Sequence, residues 1–358
     1  MMLRLRIIAR SQLSFALFGL TLGLLLLEMT TRALVIFNHS FEPMVPPAIG
    51  RFDERFGWSL RPHASASSHR SGHKITYRIN SKGLRDTEMN YDKPPGIFRI
   101  VLLGDSNTFG HGVLVEKHFS TLLERRFPNL EVVNMGVSGY GVDQELLYLQ
   151  QEGFRYNPDL VLAYVPHYAD LRHMHSNRFG QDKPRFVLTG ERLTLTNYPV
   201  PYKLPLPRAL LPIHYWCVSQ SKVCELLHVR GAAFMKDSSY GTSRIKQAST
   251  ERPDRLSITP SESDTRELGS RIVTEMGNEC RKRDIPFALV TRIRSLHEAL
   301  VRNGHRSLEV SQVLANEKFK IPNDNHHNEA ANEVLAREMG RFLQTSNLLP
   351  AEHWYTRP

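Results

Sequence analysis

The sequence predicts an α/β protein built on a parallel, doubly wound sheet, preceded by one N-terminal transmembrane helix. Three observations carry this expectation. Short, almost wholly apolar runs recur along the chain, bounded by glycine, proline or polar residues, as buried parallel strands are. Stretches of helical spacing alternate with them, and strands alternating with helices argue for a doubly wound sheet. Near the N-terminus, an uncharged run from Leu13 to Leu27 is followed by a second apolar piece, Ala33 to Phe37. At 358 residues the chain is long enough for one large core, or one core plus an insertion.

Arg4, Arg6 and Arg10 precede the apolar run, with no acid before it. The uncharged part alone is shorter than the ~20 residues of a spanning helix, but Leu13 to Phe37 suffices. No small-x-small cleavage site follows, so an uncleaved anchor is expected rather than a signal peptide. Arginines before the helix place the N-terminus in the cytoplasm and everything after it outside. Residues 1–37 are therefore expected as a cytoplasmic stub and a single-pass anchor in the inner (cytoplasmic) membrane, with the remainder on the periplasmic or extracellular side. Glu28 and Arg32, four residues apart, are spaced to pair. The net charge of +10 suits anionic surroundings such as lipid headgroups or acidic polymers. No nucleic-acid-binding motif is present.

Residues 38–96 read as a linker and an irregular lead-in, where Pro43, Pro46, Pro47 and the small residues Ala64 to Ser68 argue against a core. Within it Lys74 to Ile79 alternates as a strand, and Lys93-Pro94-Pro95-Gly96 is a turn. The main domain is expected over 97–345. Ile97 to Leu103 is its first strand, His118 to Phe127 a helix, and Glu131 to Asn134 a second strand. The glycine-rich run Gly136 to Gly141 follows, then a helix over Val142 to Phe154 and a third strand, Asp159 to Val165. From His167 to about Ser261 the pattern fails, with Pro199, Pro201, Pro205, Pro207 and Pro212, one helix near Tyr215 to Val229 and a basic stretch from Lys236 to Arg255. A loop this long in a compact domain is functional or disordered, so an insertion of about 173–261 over the active-site face is expected. A helix over Thr265 to Arg283, a strand over Pro286 to Arg292, a last strand over Phe319 to Pro322 and an amphipathic helix over Asn328 to Leu343 complete the domain, leaving a tail over 346–358. In a continuous helix Cys217 and Cys224 would lie about 10 Å apart, too far for a disulfide without bending. Together with Cys280 they form no disulfide framework and no metal spacing.

Three stretches carry chemistry. The run Ile100 to Gly112 (I-V-L-L-G-D-S-N-T-F-G-H-G) breaks at Gly104 and delivers Asp105, Ser106 and Asn107 into a tight turn. In an open α/β sheet, active sites sit at the carboxyl ends of strands, so Ser106 stands where a nucleophile would; the same turn is also a good helix N-cap. The glycines after Asn134 can present free N–H groups to an anion, or can form merely a turn. In Asp324-Asn325-His326-His327-Asn328, an acid two residues from an imidazole can hold it in one tautomer. Read blandly, Asp324 or Asn328 caps a helix and His326 lies on the surface. Each stretch follows the end of an expected strand, so all three converge on one sheet edge. Together they offer a nucleophile, backbone donors for an oxyanion, and a base with its orienting acid.

In these blocks the chain resembles the SGNH hydrolases, the GDSL-type esterases and lipases, and among them the membrane-anchored bacterial members. Gly104-Asp105-Ser106 with Thr108 and Gly110 matches the first block, Asn134-x-Gly136-x-x-Gly139 the second, and Asp324-x-His326-x-Asn328 the last. The likeness extends to Asn80-Ser81-x-Gly83-Leu84-Arg85-Asp86 and to Asn197-Tyr198-Pro199-Val200-Pro201, so it runs from about residue 75 to 345. It implies a flavodoxin-like α/β/α sandwich of about five parallel strands. It implies ester or acyl chemistry, with Ser106 as nucleophile, His326 as base, Asp324 as its partner, and the N–H groups of Ser106 and Gly139 in the oxyanion hole. No cofactor is implied.

One block departs from the family pattern. Members place an Asn-Asp pair after the third strand, and the Asn donates to the oxyanion. Here the segment is Tyr164-Val165-Pro166-His167-Tyr168-Ala169-Asp170-Leu171. If Asp170 matches the Asp, Ala169 holds the Asn position and cannot donate, which leaves His167 or Asn177 to reach in. Losing one such donor costs about a hundred- to thousand-fold in rate. His167, Asp170, His173 and His175, joined by Asp324, His326 and His327, have side chains that suit zinc, but their spacing fits no compact signature and no metal is expected. The expected function is a membrane-anchored, extracytoplasmic serine esterase or acyl hydrolase acting on an acylated small molecule or polysaccharide, or on another envelope ester. Two alternatives stand beside it: an O-acyltransferase using the same triad, for example in polysaccharide O-acetylation, and a non-catalytic envelope-binding protein, the latter motivated by Ala169.

Overall fold

The computed structural model describes residues 2–37, 47–70, 73–175, 182–202, 206–228, 261–322 and 324–354. Asn177 and the basic stretch Lys236 to Arg255 lie outside the described residues. Helix α1 (Met2–Phe37) leads the chain. Within it Ser14–Leu34 is long and apolar enough to cross a membrane, and its leucines and phenylalanines are exposed. Its 21 residues span about 31 Å, close to the thickness of a bilayer's hydrocarbon core. Arg32 and Glu28 pair at 2.7 Å, as their spacing suggests.

Two antiparallel hairpins follow, β1 (Gly50–Asp53) with β2 (Gly57–Leu60) and β3 (Ser65–Arg70) with β4 (His73–Arg78). The expectation that this lead-in stays out of the core is corrected. Ile49, Phe56, Trp58, Leu60, Ile75, Tyr77 and Ile79 are all buried in one cluster with strand residues of the main sheet. The prolines and small residues punctuate short strands whose inward faces are apolar.

The main domain then alternates. Strand β5 (Phe98–Gly104) leads into the one-turn helix α2 (Ser106–Phe109) and helix α3 (Phe119–Arg126). Strand β6 (Leu130–Asn134) is followed by α4 (Val142–Gln151), and β7 (Leu160–Val165) by α5 (Tyr168–Arg172). The insertion holds a hairpin, β8 (Arg185–Thr189) with β9 (Arg192–Thr196), and two short helices, α6 (Leu211–Gln220) and α7 (222–228). Helix α8 (Glu262–Arg281), strand β10 (Phe287–Thr291), helix α9 (Arg294–Arg302), strand β11 (Arg306–Glu309) and helix α10 (Glu329–Thr345) close the fold.

The five-stranded sheet runs β11-β10-β7-β5-β6, every neighbouring pair parallel. In order of appearance this is 2-1-3-4-5, the flavodoxin-like order, with its topological switch between β5 and β7. Every residue of β5, β7 and β10 is buried, which is why these strands read as unbroken apolar runs. Helices α3 and α10 cover one face through Phe119, Leu123, Leu335 and Met339; α4, α8 and α9 cover the other through Leu146, Ile272 and Leu296.

Two further expectations are corrected. The fifth strand is Arg306–Glu309, and Phe319–Pro322 instead forms a 3-10 turn and one isolated bridge, Lys320 to His327. An edge strand with exposed or half-buried side chains carries no apolar run to announce it. Cys217 and Cys224 are joined in a disulfide, because the helix breaks at Ser221 and brings their Cα atoms to 5.9 Å.

Candidate active site

The site is assembled at the carboxyl ends of β5 and β6 and on the loop before α10. Strand β5 ends at Gly104, where a Cβ would meet Thr108 Oγ1 at 2.0 Å, so only glycine lets α2 fold back this tightly. Asp105 caps α2, its Oδ1 accepting from Asn107 N at 2.9 Å. Ser106 is the first residue of that helix, where a backbone N–H has no intrahelical acceptor. The cap is therefore Asp105, and the Ser106 hydroxyl is left for other work.

That hydroxyl lies 2.7 Å from His326 Nε2, and His326 Nδ1 lies 2.5 Å from Asp324 Oδ1. The carboxylate fixes the imidazole proton on Nδ1, which leaves Nε2 as the acceptor for the serine proton. Asp105 Oδ2, at 3.1 Å, is a more distant acceptor for the same hydroxyl. Burial pushes the Asp324 carboxyl up, but the His111 ring beside one oxygen and the hydrogen bond from His326 on the other outweigh it and hold the group well below the ordinary carboxylate range. The three residues picked out on separate stretches of sequence thus meet in one line.

His111 is the residue that sequence reasoning passed over. It is fully buried, its Nε2 is 3.6 Å from Asp324 Oδ2, and its ring centroid is 4.4 Å from that of His326. Asp324 is held between two imidazoles, one on each oxygen. Together these make the one cluster of three metal-ligating side chains among the described residues. The histidines grouped in sequence disperse instead: His173 Nδ1 reaches Tyr140 O at 3.3 Å, and His175 Nε2 reaches Thr265 at 3.3 Å. His111 sits in the turn that closes α2, and no local pattern ties it to Asp324.

His327, next to His326, faces the other way. Its Nε2 pairs with the Tyr164 hydroxyl at 2.7 Å, and its N–H donates to Asn107 Oδ1 at 3.1 Å. Burial, with lesser contributions from His167 and Arg292, pushes its pKa down to about 3, so it is neutral. It ties the loop to β7 and α2.

The glycine loop after β6 is set by Asn134, whose Nδ2 donates to Thr108 O at 2.7 Å while its Oδ1 accepts from Gly136 N at 3.0 Å. Gly136 packs so closely that a Cβ would meet Phe109 N at 2.2 Å. Gly139 lies in the left-handed region at φ 81°. The lead-in clamps this loop: Trp58 Nε1 donates to Ser138 O at 3.1 Å, and the Tyr140 hydroxyl donates to Trp58 O at 2.7 Å. The segment read as a linker is thus part of the wall that shapes the site.

After β7, Ala169 lies in the first turn of α5 and brings no side-chain donor. Asp170 accepts from His167 N at 2.8 Å and is hydrogen-bonded to Asp105. Burial and the Asp105 charge push Asp170 well above the carboxylate range. Asp105 is pushed up by burial too, but hydrogen bonds from Asp170 and Asn107 N hold it low. The pair therefore carries one proton, on Asp170. Asp170→Asn, which mimics the protonated acid, is expected to leave stability near wild type at neutral pH, whereas Asp170→Ala costs about 1–3 kcal/mol. With its folded pKa raised, Asp170 contributes stability at lower pH that is lost as pH rises through that value. Denaturant midpoints followed as pH rises from the ordinary carboxylate range check this, since Asp170→Asn should remove that decline.

His167 caps α5, with its ring centroid 5.7 Å from that of His327. Burial lowers its pKa, against a smaller opposing pull from Asp105, so the ring is neutral. Its Nε2 is buried and has no hydrogen-bond partner among the described residues.

A scan against protein-family models finds no match, and neither does a search of curated proteins. Among solved structures the chain is similar to a lipase/acylhydrolase from Enterococcus faecalis, at 13% identity and a TM-score of 0.38, over 70% of this chain and 97% of that one. It is also similar to the psychrotrophic esterase EstA from Pseudoalteromonas sp., at 11% identity and a TM-score of 0.37, over 70% and 99% of the two chains. A third likeness is to a two-domain esterase active on acetylated mannans, at 11% identity and a TM-score of 0.34, over 73% of this chain and 52% of that one.

Proposed function

We propose that this chain is a serine ester hydrolase of the SGNH type, held at a membrane by α1. The observation that carries the reading is the continuous line from Ser106 Oγ through His326 to Asp324, at 2.7 and 2.5 Å. In this reaction His326 Nε2 takes the serine proton as Oγ attacks the acyl carbon. The carbonyl oxygen becomes an oxyanion, met by the N–H groups of Ser106 and Gly139. His326 then gives its proton to the departing alcohol, leaving an acyl-serine. Water attacks that ester in the same way, with His326 again as base, and releases the acid. Asp324, braced on its far oxygen by His111, stabilises the imidazolium.

His167 takes the place of the family's missing side-chain donor. A neutral imidazole has one N–H to give, and the buried His167 Nε2 has no hydrogen-bond partner among the described residues. The reading is tested by turnover of a short-chain aryl ester by the full chain in detergent. His167→Ala should lower kcat about a hundred- to thousand-fold, and Ala169→Asn should then restore part of it. Unchanged turnover in His167→Ala would remove His167 from the oxyanion site.

The substrate class is an acyl ester of a carbohydrate or another envelope component, met on the outer side of the membrane. The Cys217–Cys224 disulfide supports that side, since disulfides persist in oxidising compartments and are rare in the cytosol. The arginines before the span point the same way.

A further inference from the structure

We propose that the α6–α7 hairpin is a second membrane contact, an interfacial element that lays an apolar face on the bilayer beside the α1 span. The proposal rests on the reading that α1 crosses the membrane.

Three observations carry it. First, the hairpin is fastened to α1 inside the apolar span. Glu28 accepts from Ser221 Oγ at 2.8 Å, from Lys222 N at 2.9 Å and from Val223 N at 3.2 Å, while Arg32 Nη2 donates to Gln220 O at 2.8 Å. Glu28 lies six residues before Leu34, the end of the span nearest the domain. At 1.5 Å per residue, that is a depth of about 9 Å along the helix, within the ~5–10 Å to which interfacial helices bury. The turn of the hairpin is therefore drawn to the headgroup–acyl boundary.

Second, the hairpin keeps an apolar face uncovered. Leu210, Ile213 and Trp216, three residues apart, are 43%, 63% and 65% exposed, and Leu227 on α7 is 68% exposed. The opposite face is committed to the domain: Val218 is buried, and the Tyr215 hydroxyl accepts from Phe52 N at 3.1 Å. Tryptophan with neighbouring aliphatic residues is the composition of the membrane–water interface. Third, the hairpin is rigid enough to hold such a face. The Cys217–Cys224 disulfide ties α6 to α7, and His214 Nε2 meets His228 Nδ1 across the two helices at 3.0 Å. With its charged neighbour Glu28 already saturated by donors, the patch adjoins lipid through α1 itself.

The test uses the full chain reconstituted into vesicles of phosphatidylethanolamine and phosphatidylglycerol, with and without acyl-brominated phosphatidylcholine. The emission of Trp216 is taken as the difference between wild type and Trp216→Phe, since Trp58 and Trp354 remain in both. Bromine near the headgroup end of the acyl chains should roughly halve that difference emission, and bromine at the chain ends should quench it less. Vesicle flotation in alkaline carbonate reports α1 separately. A chain that floats while Trp216 is quenched by aqueous acrylamide and not by bromolipid would overturn the hairpin contact and leave the anchor standing. Trp216 shielded from both quenchers would also overturn it, in favour of a second copy or a protein partner. A chain that does not float would overturn the anchor, and the hairpin contact with it.

Discussion

Ser106→Ala is expected to lower kcat on a short-chain ester about 10⁴- to 10⁶-fold while leaving the fold intact. Members of one catalytic unit are not additive, so the loss of the nucleophile removes nearly everything the unit contributes. The residual rate is what the oxyanion donors and binding alone supply. The substitution is mild for the fold, because Asp105, not Ser106, accepts from the free N–H of α2. Deleting the hydroxyl forfeits one hydrogen bond to His326, worth about 1 kcal/mol. Thermal unfolding followed beside turnover separates the two effects. Wild-type turnover in a clean preparation of Ser106→Ala would rule out the serine mechanism.

His326→Ala should fall to about the level of Ser106→Ala, and the adjacent His327→Ala should not. His326 is the only imidazole bonded to both Ser106 Oγ and Asp324 among the described residues. His327 holds the loop in place: removing its ring leaves the buried Tyr164 hydroxyl without that partner, at a cost of about 1–3 kcal/mol of stability. The two variants should therefore differ in kind. One stays folded and loses turnover; the other loses stability and keeps most of its turnover per folded molecule. Denaturant midpoints and kcat measured on the same samples decide it. A severe catalytic loss in His327→Ala with normal stability would move the base by one residue.

Much of the framework was legible because its physics is local. Strands β5, β7 and β10 are buried on both faces, so they appear in the sequence as apolar runs, and the end of β5 points to Ser106. Spacing to Asp324 pointed to His326 rather than His327, and the ring that lies against both Asp324 and Ser106 is that of His326. What was hidden depends on tertiary contact. Strand β11 lies at the sheet edge and reads as polar. Trp58 and Phe56 belong to a hairpin too short to show a period, yet they pack against Tyr140 of the glycine loop. His111 touches Asp324 across more than two hundred residues of chain, and no local pattern marks it. The break at Ser221 that permits the disulfide has no glycine or proline to signal it; its neighbours are held by Glu28, on a helix nearly two hundred residues earlier.

The central claim, that His326 and Asp324 activate Ser106 as a nucleophile, is tested most directly by a fluorophosphonate probe. The probe phosphonylates an activated serine and spares an ordinary one. Incubated with the full chain in detergent and read by peptide mass, it should modify Ser106 stoichiometrically in wild type, and fail to do so in His326→Ala. An unmodified Ser106 in folded wild-type chain, or equal modification with and without His326, would contradict the account.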